Sequence, residues 1–158
     1  MTARAAHLVD EVIPHVPTRQ WVLSLPFQLR FRLAFDHDLT RAVLLIFTRE
    51  VFAFYRERAR QHGWPDGHTG SVTVIQRFGG ALNLNLHFHT LVLDGVFNER
   101  EDGALRFLPL PAPADRQVAE VLARVVAAVM RLLVRRGIWV DADGESAADG
   151  DPTLHDSR

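Results

Sequence analysis

Two histidines one residue apart, His87 and His89, lie in the middle of a run whose composition is typical of a β-strand. Because successive side chains of a strand point to opposite faces, both imidazoles are expected on one face, together with Asn85. The other face is then apolar and carries Leu84, Leu86, Phe88 and Val92. Two imidazoles side by side favour chelation of a divalent metal ion. A chance pair, or a hydrogen-bonded surface pair, is the alternative that the spacing leaves open.

Gln76 is the candidate for a third metal ligand. It lies eleven residues before His87 on another β-branched run, and a Gly-Gly break separates the two. If the runs pair as antiparallel strands, the side-chain oxygen of Gln76 comes near the histidines. Two imidazoles and one oxygen leave positions open for water or a phosphate oxygen, which suits Mg²⁺ or Mn²⁺ acting as a Lewis acid. An ordinary strand glutamine fits equally well, and Asp94 is a reserve ligand that alternation places on the opposite face.

The composition is that of a soluble globular chain of one domain. The 158 residues are 47% apolar and 23% charged. No apolar run approaches the roughly 20 residues of a membrane span, and the N-terminus lacks a signal pattern, so neither a membrane partner nor export is expected. The absence of cysteine excludes disulfides, thiolate nucleophiles and cysteine zinc sites, and fits a cytoplasmic protein.

The net charge of −1 is unevenly distributed. Residues 141–158 hold six acidic residues and one arginine, whereas residues 1–140 hold 17 arginines and 13 acidic residues. All 18 basic residues are arginine, the better bidentate phosphate ligand, although genomic base composition explains such an inventory as well. We therefore divide the chain into a lead-in (1–18), a folded domain (19–138) and an acidic disordered tail (139–158).

The elements that must position the histidines follow from hydrophobic periodicity. Helical spacing relates Phe27, Phe31 and Phe35, and Asp38 is placed to cap the long helix that follows. The predicted helices are 6–13, 27–35, 38–61 and 115–136, with Gly137 ending the last, and the predicted strands are 20–25, 71–78, 84–94, 96–97 and 105–107. Both long helices are expected to bury a broad apolar stripe, including Leu45 in one and Val118 and Leu122 in the other.

The order of these elements predicts an α+β fold. It is that of a split βαβ, ferredoxin-like antiparallel sheet with helices on one face. The final strand of that pattern is missing, which predicts that the chain is a fragment.

Three segments resemble rolling-circle transposases of the IS-ninety-one class. They are Arg-Gln-Trp-Val-Leu-Ser-Leu-Pro at 19–26, Ile-Gln-Arg-Phe-Gly-Gly-Ala-Leu-Asn-Leu-Asn at 75–85, and His-Phe-His-Thr-Leu-Val-Leu-Asp-Gly-Val-Phe at 87–97. The resemblance covers roughly residues 5–138. It implies a His-hydrophobe-His endonuclease with a sheet related to the ferredoxin and RNA-recognition folds. It also implies single-stranded DNA as substrate, a divalent metal, and a tyrosine that attacks the scissile phosphate and stays linked to the DNA 5′ end.

Carried over by residue, the resemblance makes His87 and His89 metal ligands, Phe88 the hydrophobe and Gln76 the third ligand. The family's nucleophilic tyrosines lie on a helix downstream of the histidines, yet the only tyrosine here is Tyr55, upstream and on an apolar stripe. We interpret Tyr55 as a core residue. The cysteine-rich zinc module that family members usually carry ahead of this domain is also missing. The chain is thus expected to be a transposase fragment that does not cleave DNA alone, with a non-catalytic DNA- or metal-binding remnant as the alternative.

Five residues are candidates for contacts with DNA. Arg19 and Arg77 are predicted to bind phosphates, and Trp21 and Phe78 to stack on unpaired bases, as is Trp64 in a loop. The alternative for each is an ordinary core aromatic or surface charge. Ser24, His37 and His68 lack the spacing of a catalytic triad and are interpreted as structural or solvent-facing. A metal hydrolase on a (β/α)₈ barrel is disfavoured because 158 residues are too few.

Overall fold

The computed structural model describes residues 11–78 and 84–139. Along the chain it contains β1 (Thr18–Ser24), α1 (Phe27–Phe35), α2 (His37–Gln61), β2 (Ser71–Phe78), β3 (Leu84–Leu93), β4 (Gly95–Glu99), β5 (Leu105–Pro109) and α3 (Asp115–Arg135). These elements match the predicted ones to within a few residues at each end. The predicted helix at 6–13 lies mostly outside the described residues, and the predicted acidic tail almost entirely so.

The main sheet has three strands in the order β1-β3-β2, and β3 pairs antiparallel with both neighbours. The outer strands β1 and β2 therefore run parallel to each other with β3 between them, which is the arrangement of a split βαβ unit. β4 and β5 form a separate two-stranded hairpin before α3. The predicted α+β fold with an antiparallel sheet is confirmed.

The helices cover one face of the sheet. Leu86, Phe88 and Val92 of β3 are fully buried and belong to one core cluster with apolar side chains of all three helices. α2 contributes Val43, Phe47, Val51 and Phe54 to this core, and α3 contributes Val121, Val125, Val129 and Leu132. The face of β3 that carries the histidines is the opposite one, and its neighbours Val22 and Val74 are 51% and 60% exposed. The core thus fixes the strand whose other face presents the imidazoles.

Three details of the helices correct the sequence predictions. Asp36, not Asp38, caps α2: its side chain accepts a hydrogen bond from the backbone N–H of Leu39 at 2.8 Å. Leu45 is 59% exposed, since it lies halfway between the buried Val43 and Phe47 and so on the far side of the helix.

Val118 and Leu122 on α3 are also exposed, at 39% and 50%, against the prediction. Both lie on the same stripe as the buried Val125 and Val129 but nearer the start of α3, so this part of the stripe is left exposed. No helix in the described ranges is long and apolar enough to cross a membrane.

Candidate metal centre

The imidazoles of His87 and His89 lie next to each other on the open face of the sheet. Their ring centroids are 4.7 Å apart, their planes are inclined by 66°, and both side chains are half-buried. Alternation along β3 buries Leu86 and Phe88 and turns the two histidines the other way. The predicted placement of the pair on one face is therefore what the structure has.

The hydrogen bond of His87 fixes which ring nitrogen is free. Its Nδ1 lies 2.6 Å from the backbone carbonyl oxygen of Asn85. A carbonyl oxygen only accepts hydrogen bonds, so Nδ1 of a neutral His87 carries the proton and donates it. Nε2 then has the lone pair that a metal ligand needs, which is the usual arrangement of a metal-binding histidine.

Gln20 of β1 makes the corresponding contact to His89. Nε2 of Gln20 lies 2.6 Å from Nδ1 of His89, so in this placement the amide N–H donates and Nδ1 accepts. Side-chain amide oxygen and nitrogen are interchanged by a half-turn, and the choice is set by the surrounding hydrogen bonds. With the amide turned so that Oε1 faces the ring instead, Nδ1–H of His89 would donate to Gln20 and Nε2 would have the lone pair, as in His87. Sequence reasoning missed Gln20, because only the pairing of β1 with β3 brings it beside His89.

Oxygen-bearing side chains lie on both sides of His87. In the pairing register, Ser24 of β1 and Gln76 of β2 are the residues directly opposite His87. The amide nitrogen of Gln76 donates a hydrogen bond to the carbonyl oxygen of Phe78 at 3.0 Å. The Oε1 atom of Gln76 is then the atom that could coordinate a metal ion. The described residues contain no group of three His, Cys, Asp or Glu side chains that could hold a metal. A cation here would therefore be held by two imidazoles and neutral oxygens, with other positions left for water or phosphate.

A family model described as "Putative transposase" (Y2_Tnp) matches residues 70–150, just over half of the chain. The chain belongs to this transposase family. The matched region contains β2 and β3, with Gln76 and both histidines, and extends through α3. Searches of curated proteins and of solved structures find no significant match.

On its core side, this transposase-family domain has a buried polar network centred on Asp94. The carboxylate of Asp94 accepts hydrogen bonds from Nε and Nη2 of Arg19, at 2.9 and 2.6 Å, and from the hydroxyl of Tyr55 at 2.9 Å. The indole N–H of Trp21 donates to the same hydroxyl at 3.4 Å. These contacts join β1, α2 and the end of β3. Asp94 thus lies on the face opposite the histidines, where alternation predicted it.

The network includes two of the predicted DNA contacts, Trp21 and Arg19. Trp21 is only 9% exposed, and its ring packs edge-on against Phe54 and Tyr55, so it offers no face to a nucleic-acid base. Arg19 forms a two-pronged ion pair with Asp94, which raises the pKa of Arg19 above its usual value. Its guanidinium is therefore held by Asp94, and its side chain is 33% exposed.

Two of the other three predicted DNA contacts lie at the surface of the transposase domain. Arg77 is exposed, and its Nη2 lies 3.2 Å from Nδ1 of His37 at the start of α2. Phe78 is 53% exposed at the end of β2. Trp64, by contrast, is half-buried beneath the guanidinium of Arg106, which lies 5.5 Å from its ring centroid.

Tyr55 is buried in the core, as its position on the apolar stripe predicts, and its exposed fraction is 0%. Burial, and to a smaller extent the charge of Asp94, raises the pKa of Tyr55 to about 12, although the hydrogen bond from Trp21 acts in the opposite direction. The folded protein therefore favours the neutral phenol, which donates to Asp94.

The raised pKa predicts a loss of stability at high pH. A pKa higher in the folded than in the unfolded state stabilises the fold fully below pH 10, and this contribution disappears as the pH rises from about 10 to about 12. Because a factor of ten in an ionisation constant is about 1.4 kcal/mol, the loss is roughly 3 kcal/mol. Tyr55 is the only tyrosine, so tyrosinate absorbance follows it alone. We expect a midpoint near 12 in the native protein and near 10 in denaturant, and a native midpoint near 10 would contradict the buried placement.

Proposed function

We propose that this chain is the metal- and DNA-binding part of a transposase catalytic domain of the IS-ninety-one, rolling-circle class. In this proposal it acts on single-stranded DNA in nicking and strand transfer. The observation that carries the proposal is the pair of half-buried imidazoles, His87 and His89, side by side on the open face with Nδ1 of each in a hydrogen bond.

The residues around the pair would bind and orient a phosphodiester. His87, His89 and the side-chain oxygen of Gln76 would hold Mg²⁺ or Mn²⁺, which supplies Lewis-acid stabilisation of the charge that develops on the phosphate oxygens. Gln20 and the carbonyl oxygen of Asn85 would keep the two rings in the orientation that ligation needs. Arg77, at the same end of the sheet as Gln76, would bind a neighbouring phosphate.

The nucleophile is not among the described residues of this site. Tyr55 is buried in the core and its hydroxyl is hydrogen-bonded to Asp94, so this oxygen does not reach the open face of the sheet. In the proposed reaction, a hydroxyl supplied from outside this site attacks phosphorus, and a new phosphorus–oxygen bond forms as the bond to the 3′ oxygen breaks. The hydroxyl gives its proton to solvent, and the 3′ oxygen takes one up and leaves as a 3′ hydroxyl. The chain described here would position the phosphate for that exchange.

The test is the coupling between metal and DNA. If the ion contacts a phosphate, Mn²⁺ raises the affinity for a labelled single-stranded oligonucleotide, and the oligonucleotide raises the affinity for Mn²⁺ by the same factor. A phosphorothioate in the oligonucleotide should weaken this coupling in Mg²⁺ more than in Mn²⁺, because Mn²⁺ accepts soft ligands more readily. Affinity for DNA that does not change with either metal would contradict the proposal.

A second candidate function is a non-catalytic DNA- or metal-binding module. The observation that favours it is the burial of the only tyrosine, Tyr55. Incubation with Mn²⁺ and labelled single-stranded DNA, followed by a denaturing gel, distinguishes the two candidate functions. Binding without metal coupling and without a covalent adduct supports the module. An adduct that disappears in Tyr55→Phe would show that this phenol reacts and would contradict our interpretation of it as a core residue.

The contact of Gln20 with His89 predicts that Gln20 contributes to the affinity for metal. Replacing Gln20 by leucine removes the group that holds Nδ1 and is expected to lower Mn²⁺ affinity by about 10- to 100-fold, as loss of such outer partners typically does. Gln20→Glu keeps an acceptor oxygen and should retain most of the affinity. The neighbouring variant Thr18→Val, on the same face of β1, is the control.

Nitrogen-15 NMR of the metal-free protein provides a readout that is independent of metal binding. It should show the proton of neutral His89 on Nδ1. A proton on Nε2 instead would contradict the role assigned to Gln20.

A further inference from the structure

Helix α1 carries a row of exposed aromatic rings. Phe27, Phe31 and Phe35 are 77%, 68% and 70% exposed, and the rings of Phe31 and Phe35 lie 4.8 Å apart. They follow each other at four-residue intervals on one side of the helix, whereas Leu29 and Leu33 bury the other side. Large apolar side chains gathered on a surface in this way commonly mark a binding site.

The row begins at the end of the sheet where His87 lies, in the helix layer on the face opposite the imidazoles. Ser24, the β1 residue opposite His87, is three residues before Phe27. On the other side of His87, the exposed Phe78 follows Gln76 by two residues. Exposed phenylalanines therefore flank the end of the sheet where His87 lies, on the β1 side and on the β2 side.

The charges around the row favour a polyanion. α1 contains Arg30 and Arg32 and no acidic residue. Along the sequence no acid occurs between Glu11 and Asp36, and Asp36 is engaged as the cap of α2. Arg77 contacts His37 at the start of α2, just after this row. Asp38, in the same first turn of α2, is an exposed acidic residue.

We propose that Phe27, Phe31 and Phe35 form a stacking surface for the bases of single-stranded DNA that passes round this end of the sheet to the metal centre. This inference rests on the proposed function and adds to it a place where the strand is held. Aromatic rings accept any base on their faces, and neighbouring arginines follow the phosphates, which is how proteins bind unpaired strands without reading their sequence. Arg32, exposed between Phe31 and Phe35, is placed to contact the backbone of the same strand.

The experiment measures binding of a fluorescent oligothymidine by anisotropy in EDTA, so that metal plays no part. Phe31→Ala should weaken binding roughly 5- to 100-fold, the range for loss of one stacked base. Leu45→Ala removes a similarly exposed apolar side chain from the far side of α2 and should change binding less than twofold. An abasic oligonucleotide of equal length should bind wild type and Phe31→Ala equally, since it has no bases to stack.

Two further variants separate stacking from general apolar contact and from misfolding. Phe31→Trp should keep the affinity and add a fluorescence that DNA quenches, whereas Phe31→Leu, apolar but not aromatic, should lose affinity as Phe31→Ala does. Equal binding of oligothymidine by wild type, Phe31→Ala and Phe31→Leu would overturn the stacking surface alone. A wild type that binds no single-stranded DNA would overturn the proposed function with it. A dimer that dissociates in Phe31→Ala without any effect on DNA binding would assign the row to a second copy of the chain and overturn the inference.

Discussion

Replacing His87 or His89 by alanine is expected to lower the affinity for Mn²⁺ by more than about 100-fold. Loss of an outer partner of a metal ligand typically costs 10- to 100-fold, and loss of the ligand itself costs more. The effect should be large for either residue because the described part of the chain offers no third His, Cys, Asp or Glu side chain near the pair to replace it. Titration calorimetry with Mn²⁺ measures both affinities directly.

His62→Ala provides the matched control for these variants. His62 is exposed at the end of α2, so its loss should leave Mn²⁺ binding unchanged. Calorimetric curves that are the same for wild type, His87→Ala and His89→Ala would contradict a metal centre at this position. If only the alanine variant of His89 lost binding, the centre would be built on that residue with Gln76 or Ser24, and the tautomer argument for His87 would be wrong.

The position of the histidines could be predicted from the sequence because it depends only on local periodicity. A strand repeats every two residues, so Leu86 and Phe88 on one side require His87 and His89 on the other, whatever the rest of the fold does. The strand order follows almost as directly, since the order of helices and strands leaves few right-handed ways to build an antiparallel sheet.

The partners of the histidines could not be predicted because they depend on register. Gln20 and Ser24 share a face of β1 with Val22, which alternation indicates, but which of them meets His89 is decided by how β1 slides along β3. A shift of two residues would keep every face the same and exchange these neighbours. The apolar pattern alone therefore does not determine which residues of β1 contact the histidines.

Residue type misled the prediction of DNA contacts. Tryptophan and arginine are suited both to nucleic acid and to a polar core, and Trp21 and Arg19 serve the core here. Burial of Asp94 decides this, since a buried carboxylate needs donors. Arg19 and Tyr55 donate to it, and Trp21 donates to the hydroxyl of Tyr55. The exposed phenylalanines of α1 show the opposite case, because helical spacing located the helix but gave no indication that this side of it faces solvent.

The network around Asp94 predicts the second large effect. Asp94→Asn should lower the free energy of unfolding by about 3 kcal/mol, near the lower end of the range for breaking a buried pair, because the guanidinium of Arg19 stays partly exposed. The uncharged amide accepts less strongly from Arg19, and the phenol of Tyr55 loses a charged acceptor in the core. Urea unfolding followed by tryptophan fluorescence measures the change. Asp102→Asn, which alters the exposed pair with Arg100, is the control and should change stability by less than about 0.5 kcal/mol.

A double-mutant cycle with Tyr55→Phe separates the two partners of the carboxylate. If Tyr55 stabilises the fold mainly through Asp94, the two substitutions together should cost less than the sum of their separate effects, with a coupling of about 1 kcal/mol or more. Strict additivity would mean that the phenol and the carboxylate act independently, and the 2.9 Å contact between them would then contribute nothing.

The network is also connected to the metal centre, because Asp94 holds Arg19 next to Gln20 on β1. Loosening that end of β1 should therefore weaken Mn²⁺ binding in Asp94→Asn even though Asp94 lies on the other face of the sheet.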